Sequence, residues 1–197
     1  MLLAFDIGNT NISIGLFKDK DLIHKWHLPS DLAKSADDYA IDIIEIFLNH
    51  KIDCRNISRS IIASVVPSLT STIEEAVTKF TSASISHNTL IVGSDNVHLH
   101  IKTQVNDASE IGHDRLINSI AAFKKFGGNL IIIDFGTATT FDVVGKNGEY
   151  LGGVISPGIN LSLKALHDMT AKLPKISIKP QKNIIGKNTF EAMNSGV

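Results

Sequence analysis

The chain has 197 residues, 43% of them hydrophobic and 20% charged, which excludes disordered, collagen-like and disulfide-stapled classes and allows one large domain or two small lobes. Nineteen Lys and Arg against 20 Asp and Glu leave a formal charge of -1, so no basic field favours nucleic acid as a partner. No apolar run approaches the roughly 20 residues of a membrane span, the opening Met1-Leu2-Leu3-Ala4-Phe5-Asp6 lacks the basic start of a secretory signal, and the single cysteine, Cys54, suits a reducing cytoplasm.

In chain order, Leu2 to Asp6, Asn11 to Phe17 and Leu22 to Leu28 read as three consecutive strands of an antiparallel meander, with Lys18 to Asp21 as a polar turn. From Asp37 to Asn49, residues Tyr39, Ile41, Ile43, Ile44, Phe47 and Leu48 recur at near-helical spacing and predict a helix over one sheet face. Arg59 to Val66 is an apolar run stopped by Pro67 and reads as a buried strand; Ser68 to Phe80 reads as a helix and Leu90 to Val92 as a strand. A polar stretch leads to Glu110, and from Asp114 the residues Leu116, Ile117, Ile120, Ala121 and Phe123 mark one helix face until Gly127-Gly128 ends it. Trp26 and the phenylalanines are expected in the core. His98 and His100 alternate as a half-exposed strand pair without a third ligand, and His24, His27, His50, His87 and His167 carry no metal-ligand spacing.

The opening pattern then returns. Leu2 to Asp6, Ile7, Gly8, Asn9, Thr10 is matched by Ile131 to Asp134, Phe135, Gly136, Thr137, Ala138, Thr139: an apolar strand running into Asp-x-Gly. Each copy continues into a second strand (Asn11 to Phe17; Thr140 to Val144), a polar turn (Lys18 to Asp21; Gly145 to Gly148) and a third strand (Leu22 to Leu28; Tyr150 to Ile155). Repeated element order implies duplicated lobes, 1–128 and 129–197, each presenting a tight turn to a shared cleft. The second lobe is short against the first and is expected to be truncated, ending in a helix-like segment at Asn194 to Val197.

A strand that ends in Asp-x-Gly and turns back presents successive backbone N–H groups, and glycine admits a ligand oxygen close to the main chain. Gly8, Asn9 and Thr10 would donate to phosphate, the Thr10 hydroxyl would join them, and Asp6 would hold Mg2+ directly or through water. Gly136 and Thr137 offer the same from the second copy. Two such turns suit phosphoryl transfer, which needs mainly positioning and charge neutralisation. No Walker A or G-x-G-x-x-G string competes. In Gly112-His113-Asp114-Arg115 the acid stands at a helix start, where negative charge is favoured, ready to accept a hydroxyl proton, and Arg115 suits a carboxylate in a bidentate fork; capping with a surface ion pair is the plainer alternative. Gly152 to Gly158 marks a close backbone approach, to a nucleotide sugar or to the partner turn, or else a plain bend.

Taken in order, Asp6 to Thr10, Ala63 to Pro67, Gly112 to Arg115, Asp134 to Ala138, Gly152 to Gly158 and Asn188-Thr189 resemble type III pantothenate kinase over almost the whole chain. The resemblance implies an α/β, two-lobed, actin-like (ribonuclease H-like) ATPase fold with duplicated mixed sheets flanked by helices, a homodimer, ATP with Mg2+ and a monovalent cation (K+ or NH4+), and phosphorylation of pantothenate to 4'-phosphopantothenate, the first step of coenzyme A synthesis. It implies that Asp6, Ile7, Gly8, Asn9, Thr10, Asn11, Ile12 and Ser13 form the ATP phosphate loop, with Gly136 and Thr137 as counterparts, and that Asp134 is the monovalent-cation ligand. By the same resemblance Asp114 is the catalytic base, and Gly112, His113, Arg115 and Thr189 line the pantothenate site. His113 stands where the family usually has Ala, placing an imidazole beside the base, and Val105 to Ala108 replace an aromatic and Asn-Pro. The family also continues past position 197. A non-catalytic nucleotide-binding module and a transcriptional accessory regulator are the alternatives.

Overall fold

The computed structural model describes residues 1–81, 88–94 and 97–197, so His87 lies outside the described residues. The chain divides into two compact units, Met1–Ile101 with Asp107–Asn118, and Lys102–Asn106 with Ser119–Val197.

The first unit holds a five-stranded sheet: β1 (Leu2–Ile7), β2 (Asn11–Lys18), β3 (Asp21–Pro29), β4 (Arg59–Ser64) and β5 (Asn88–Ile91), in the order β3-β2-β1-β4-β5. The meander β1-β2-β3 is antiparallel; β4 and β5 join in parallel. Parallel neighbours need crossovers, which α1 (Ala36–Asn49) and α2 (Pro67–Thr81) supply. Strict alternation decides what each face buries. Leu3, Phe5 and Ile7 of β1, Ile12, Ile14 and Leu16 of β2 and Ile62 of β4 form one core with Tyr39, Ile43 and Phe47 of α1 and Leu69, Ile73 and Val77 of α2, all at most 2% exposed. A capping box starts α1: the Ser35 hydroxyl accepts from the Asp38 N–H (3.2 Å) and the Asp38 carboxylate accepts from the Ser35 N–H (2.8 Å). Proline, whose missing N–H is no loss in a first turn, starts α2.

In the second unit β6 (Leu130–Phe135), β7 (Ala138–Val144) and β8 (Tyr150–Pro157) form a three-stranded antiparallel sheet. Thr103 bridges Tyr150 in parallel on its outer edge. Here the buried centre is partly polar: Asp142, 1% exposed, accepts a hydrogen bond from the Tyr150 hydroxyl at 2.7 Å. Two helices follow, α4 (Ile159–Asp168), which packs on β7, and α5 (Thr189–Gly196). One further helix, α3 (His113–Phe126), has its first turn and a half in the first unit and the rest in the second.

Three expectations are corrected. His98 and His100 lie in no strand. Phe126 and Phe135 are not core; they are 68% and 70% exposed. The helix α4 was not expected, because Gly158 starts it without a side-chain cap, although Ile159, Leu163 and Leu166 carry helical spacing and Leu163 is buried.

Candidate active site

Alternation along β1 sends Leu3, Phe5 and Ile7 under the helices and leaves Ala4 and Asp6 on the opposite face. Ile7 and Ile12, both buried, anchor the two ends of the turn, while Asn9, Thr10 and Asn11 stay exposed. The Gly8 N–H donates to the Asn11 carbonyl at 3.0 Å. From the end of β3, the Ser30 N–H donates to the Thr10 carbonyl at 3.0 Å and its hydroxyl to the Gly8 carbonyl at 2.6 Å. The turn is thereby held from behind with its tip open. Across the sheet, Ala63, Asp6, Ser13 and His27 are successive register partners, and the Ser13 hydroxyl stands 3.1 Å from His27 Nδ1.

The Gly112 to Arg115 string is built by a different device. Asp107 caps a 3-10 turn at Ala108–Glu110, accepting from the Ser109 N–H (2.8 Å) and hydroxyl (2.6 Å), and these bonds hold its carboxyl below the usual range. Ile111 is buried, and the Gly112 carbonyl accepts from the N–H groups of Arg115 (3.1 Å) and Leu116 (3.3 Å) to start α3. Asp114 Oδ1 accepts from the Arg115 N–H at 2.8 Å. A Cβ at Gly112 would meet that same oxygen, so the Asp114 carboxylate in this position lies over the glycine. The His113 ring goes elsewhere. It lies against Gly93, whose φ of +85° only glycine adopts readily and where a Cβ would collide with the ring, and it lines a cavity of about 240 Å³ together with His98 and Leu116.

A second cavity of the first unit, about 360 Å³, is lined by Asp6 and Ser13 from the meander and by Asp114 from the start of α3. Lys25 and Asn118, which sequence reasoning did not single out, line it too, with Ala4, Gly15, Ile61 and Ala63 as its apolar floor. The structure thus brings Asp6, Ser13 and Asp114 to one cavity and places the imidazole of His113 in another. Lys25 was legible only from register, as the partner of Gly15 on the face that carries Asp6.

In the second unit the Gly136 N–H donates to the Ala138 carbonyl at 2.9 Å, and from the end of β8 the Gly158 N–H donates to the Thr137 carbonyl at 3.0 Å. A Cβ at Gly158 would collide with the Gly136 and Thr137 carbonyl oxygens. Within Gly152 to Gly158 the close backbone approach is at Gly158, to the Gly136-Thr137 turn of the same sheet. Asp134, the register partner of Thr140, is exposed, as is Thr137. Thr189 is the exposed first residue of α5, whose cap is Asn188 accepting from the Glu191 N–H at 2.9 Å.

A sequence profile of the family described as Type III pantothenate kinase matches residues 2–197. A type III pantothenate kinase of Moorella thermoacetica is 39% identical over 197 residues, which is 100% of this chain and 76% of that protein. One of Finegoldia magna is 43% identical over 197 residues, 100% of this chain and 73% of its own. Among solved structures, a Campylobacter jejuni protein provisionally assigned to the Baf family of transcriptional activators superposes with a TM-score of 0.53 at 20% identity, covering 99% of this chain and 73% of that one. At that identity the likeness shows the fold alone, an α/β arrangement with a mixed sheet in the first unit and an antiparallel sheet in the second, with helices beside them.

Proposed function

The chain belongs to the type III pantothenate kinase family and is an ATP-dependent kinase of pantothenate; we propose that Asp114 is its catalytic base. In this reading the primary hydroxyl oxygen of pantothenate bonds to the terminal phosphorus of ATP, the bond from that phosphorus to the bridging oxygen of ADP breaks, and Asp114 takes the hydroxyl proton. The observation that carries it is the shared cavity, which Asp114 lines with Asp6 and Ser13 although they come from distant parts of the chain.

The remaining roles follow the chemistry of the groups. Within Asp6 to Ser13, the phosphate loop of this reading, the exposed tip at Asn9 and Thr10 faces the phosphates of ATP, with Thr137 as its counterpart, while the Gly8 and Gly136 N–H groups donate within their own turns and shape them. Among the described residues no three His, Cys, Asp or Glu side chains gather as a metal cage. Mg2+ binds through one or two carboxylates and completes its shell with water and phosphate oxygens; Asp6 is the carboxylate that would hold it, and Mg2+ would neutralise phosphate charge there. Asp134 is the ligand for K+ or NH4+. Gly112, Arg115 and Thr189 serve pantothenate, and His113 takes part through its backbone, since its ring faces the other cavity. Residues 1–128 and 129–197 are the lobes that carry the paired turns. A homodimer, readable by equilibrium sedimentation, and a cytoplasmic location complete the proposal; among the described residues no helix is long and apolar enough to cross a membrane.

The test is ATP-dependent phosphorylation of pantothenate with Mg2+, with and without K+, for the unaltered chain and for Asp114→Asn. Loss of a general base is expected to lower kcat by about 10²- to 10⁴-fold while ATP binding persists. Unchanged turnover in the variant would remove Asp114 from the mechanism.

A further inference from the structure

The row Ala63, Asp6, Ser13 and His27 crosses four strands of the first sheet, and register partners share a face. Two of its members, Asp6 and Ser13, line the cavity that also holds Asp114. Next in the row stands His27, whose Nδ1 lies 3.1 Å from the Ser13 hydroxyl.

A serine hydroxyl carries one proton and two lone pairs on a free rotor, so by itself it meets an anion in any of several orientations. A ring nitrogen at hydrogen-bond distance removes that freedom, provided both backbones are fixed. Here they are. Ser13 sits between Ile12 and Ile14, which are 0% and 1% exposed, and His27 sits between Trp26 and Leu28, which pack against the same core from the opposite face of β3. Beyond His27, the end of β3 is tied to the Gly8 turn through the two hydrogen bonds of Ser30.

We propose that His27 is a positioning residue of the kinase: its Nδ1 holds the Ser13 hydroxyl in one orientation toward the phosphates of ATP. The inference rests on the assignment of Asp6 to Ser13 as the phosphate loop. It gives His27, an exposed residue that touches neither substrate nor the reacting atoms, an effect on nucleotide affinity exerted through Ser13 alone.

The experiment is steady-state kinetics with ATP and pantothenate varied separately, for the unaltered chain, His27→Ala, His27→Asn, Ser13→Ala and the double variant His27→Ala/Ser13→Ala. His27→Ala is expected to raise KM for ATP roughly two- to tenfold, the size of one hydrogen bond, with KM for pantothenate unmoved. His27→Asn, whose amide keeps a hydrogen-bonding atom near the Nδ1 position, is expected to restore most of the loss. In the Ser13→Ala background the His27→Ala change is expected to add nothing, because the interaction it removes is already gone. An unchanged KM for ATP in His27→Ala, an equal additional loss in the Ser13→Ala background, or a parallel rise in both KM values would each overturn the inference and leave the kinase reading standing. Absence of turnover in the unaltered chain would overturn both.

Discussion

Aligned on the aspartate of each Asp-x-Gly turn, Leu3, Phe5 and Ile7 of the first sheet correspond to Ile131, Ile133 and Phe135 of the second. The first three are at most 2% exposed, whereas the second three are 68%, 49% and 70% exposed. The turns they support are nevertheless built alike. In both, the glycine N–H donates to a carbonyl at the start of the next strand, and an N–H from the end of the third strand donates back to the threonine carbonyl, Ser30 to Thr10 and Gly158 to Thr137, each at 3.0 Å. The turn is a local product of three strands and their backbone hydrogen bonds. Burial of the strand that feeds it depends on what packs over that strand, α1 and α2 in the first unit.

The sharpest way to break this comparison is to truncate matched positions. Phe5→Ala is expected to cost about 3–5 kcal/mol by emptying a packed core site, and Phe135→Ala less than about 0.5 kcal/mol, as chemical denaturation would read. Comparable losses at the two positions would mean that Phe135 is covered in solution. A smaller contrast separates the turns from their supports. Gly158→Ala puts a Cβ into two carbonyl oxygens and is expected to cost about 1–3 kcal/mol in thermal unfolding. Gly8→Ala and Gly136→Ala place a Cβ 3.3 and 3.4 Å from the nearest oxygens and are expected to cost no more than about 1 kcal/mol. Either turn variant that folds normally yet loses nucleotide affinity would show that the ligand, rather than the fold, requires glycine there.

The smallest expected effect concerns the cover of the first sheet. Hydrogen bonds from the Ser35 hydroxyl and N–H hold the Asp38 carboxyl below its ordinary value of 3.8. A carboxyl lowered in the folded state stabilises it fully above that ordinary value and loses the contribution as pH falls through the lower, folded one. The melting-temperature difference between the unaltered chain and Ser35→Ala is therefore expected to shrink below about pH 4. A difference that stays constant from pH 6 to pH 2 would mean that Asp38 contributes nothing through this cap.

Most strands and helices were legible because each carries its own periodicity: alternation in β1 to β3, helical spacing in α1 to α3, and punctuation at Pro67 and at Gly127-Gly128. The two Asp-x-Gly turns were legible for the same reason, as a repeat of local order. What local pattern did not show was convergence. That Asp114 shares a cavity with Asp6 follows from the packing of the start of α3 near the open face of the first sheet, a long-range contact with no periodic signal. That the His113 ring packs against Gly93, where a Cβ would collide with it, is likewise a contact between residues far apart along the chain.

Residue types and spacing alone determined that this chain makes two meanders, each with an aspartate and glycine at its first turn, because hydrogen bonding between consecutive strands is settled over a few residues. Only the tertiary structure decided which side chains stand beside those turns. The pairing of β2 with β3 begins with Lys18 opposite Asp21 and Phe17 opposite Leu22, a register that, continued, would set Ser13 against Trp26. A bulge between Leu16 and Phe17 shifts it by one residue, so Ser13 meets His27 while Trp26 faces the core. The physical reason is burial: a one-residue slip exchanges the faces of a strand, and the register that puts Trp26 and Leu28 against the apolar core is the one that leaves His27 beside Ser13.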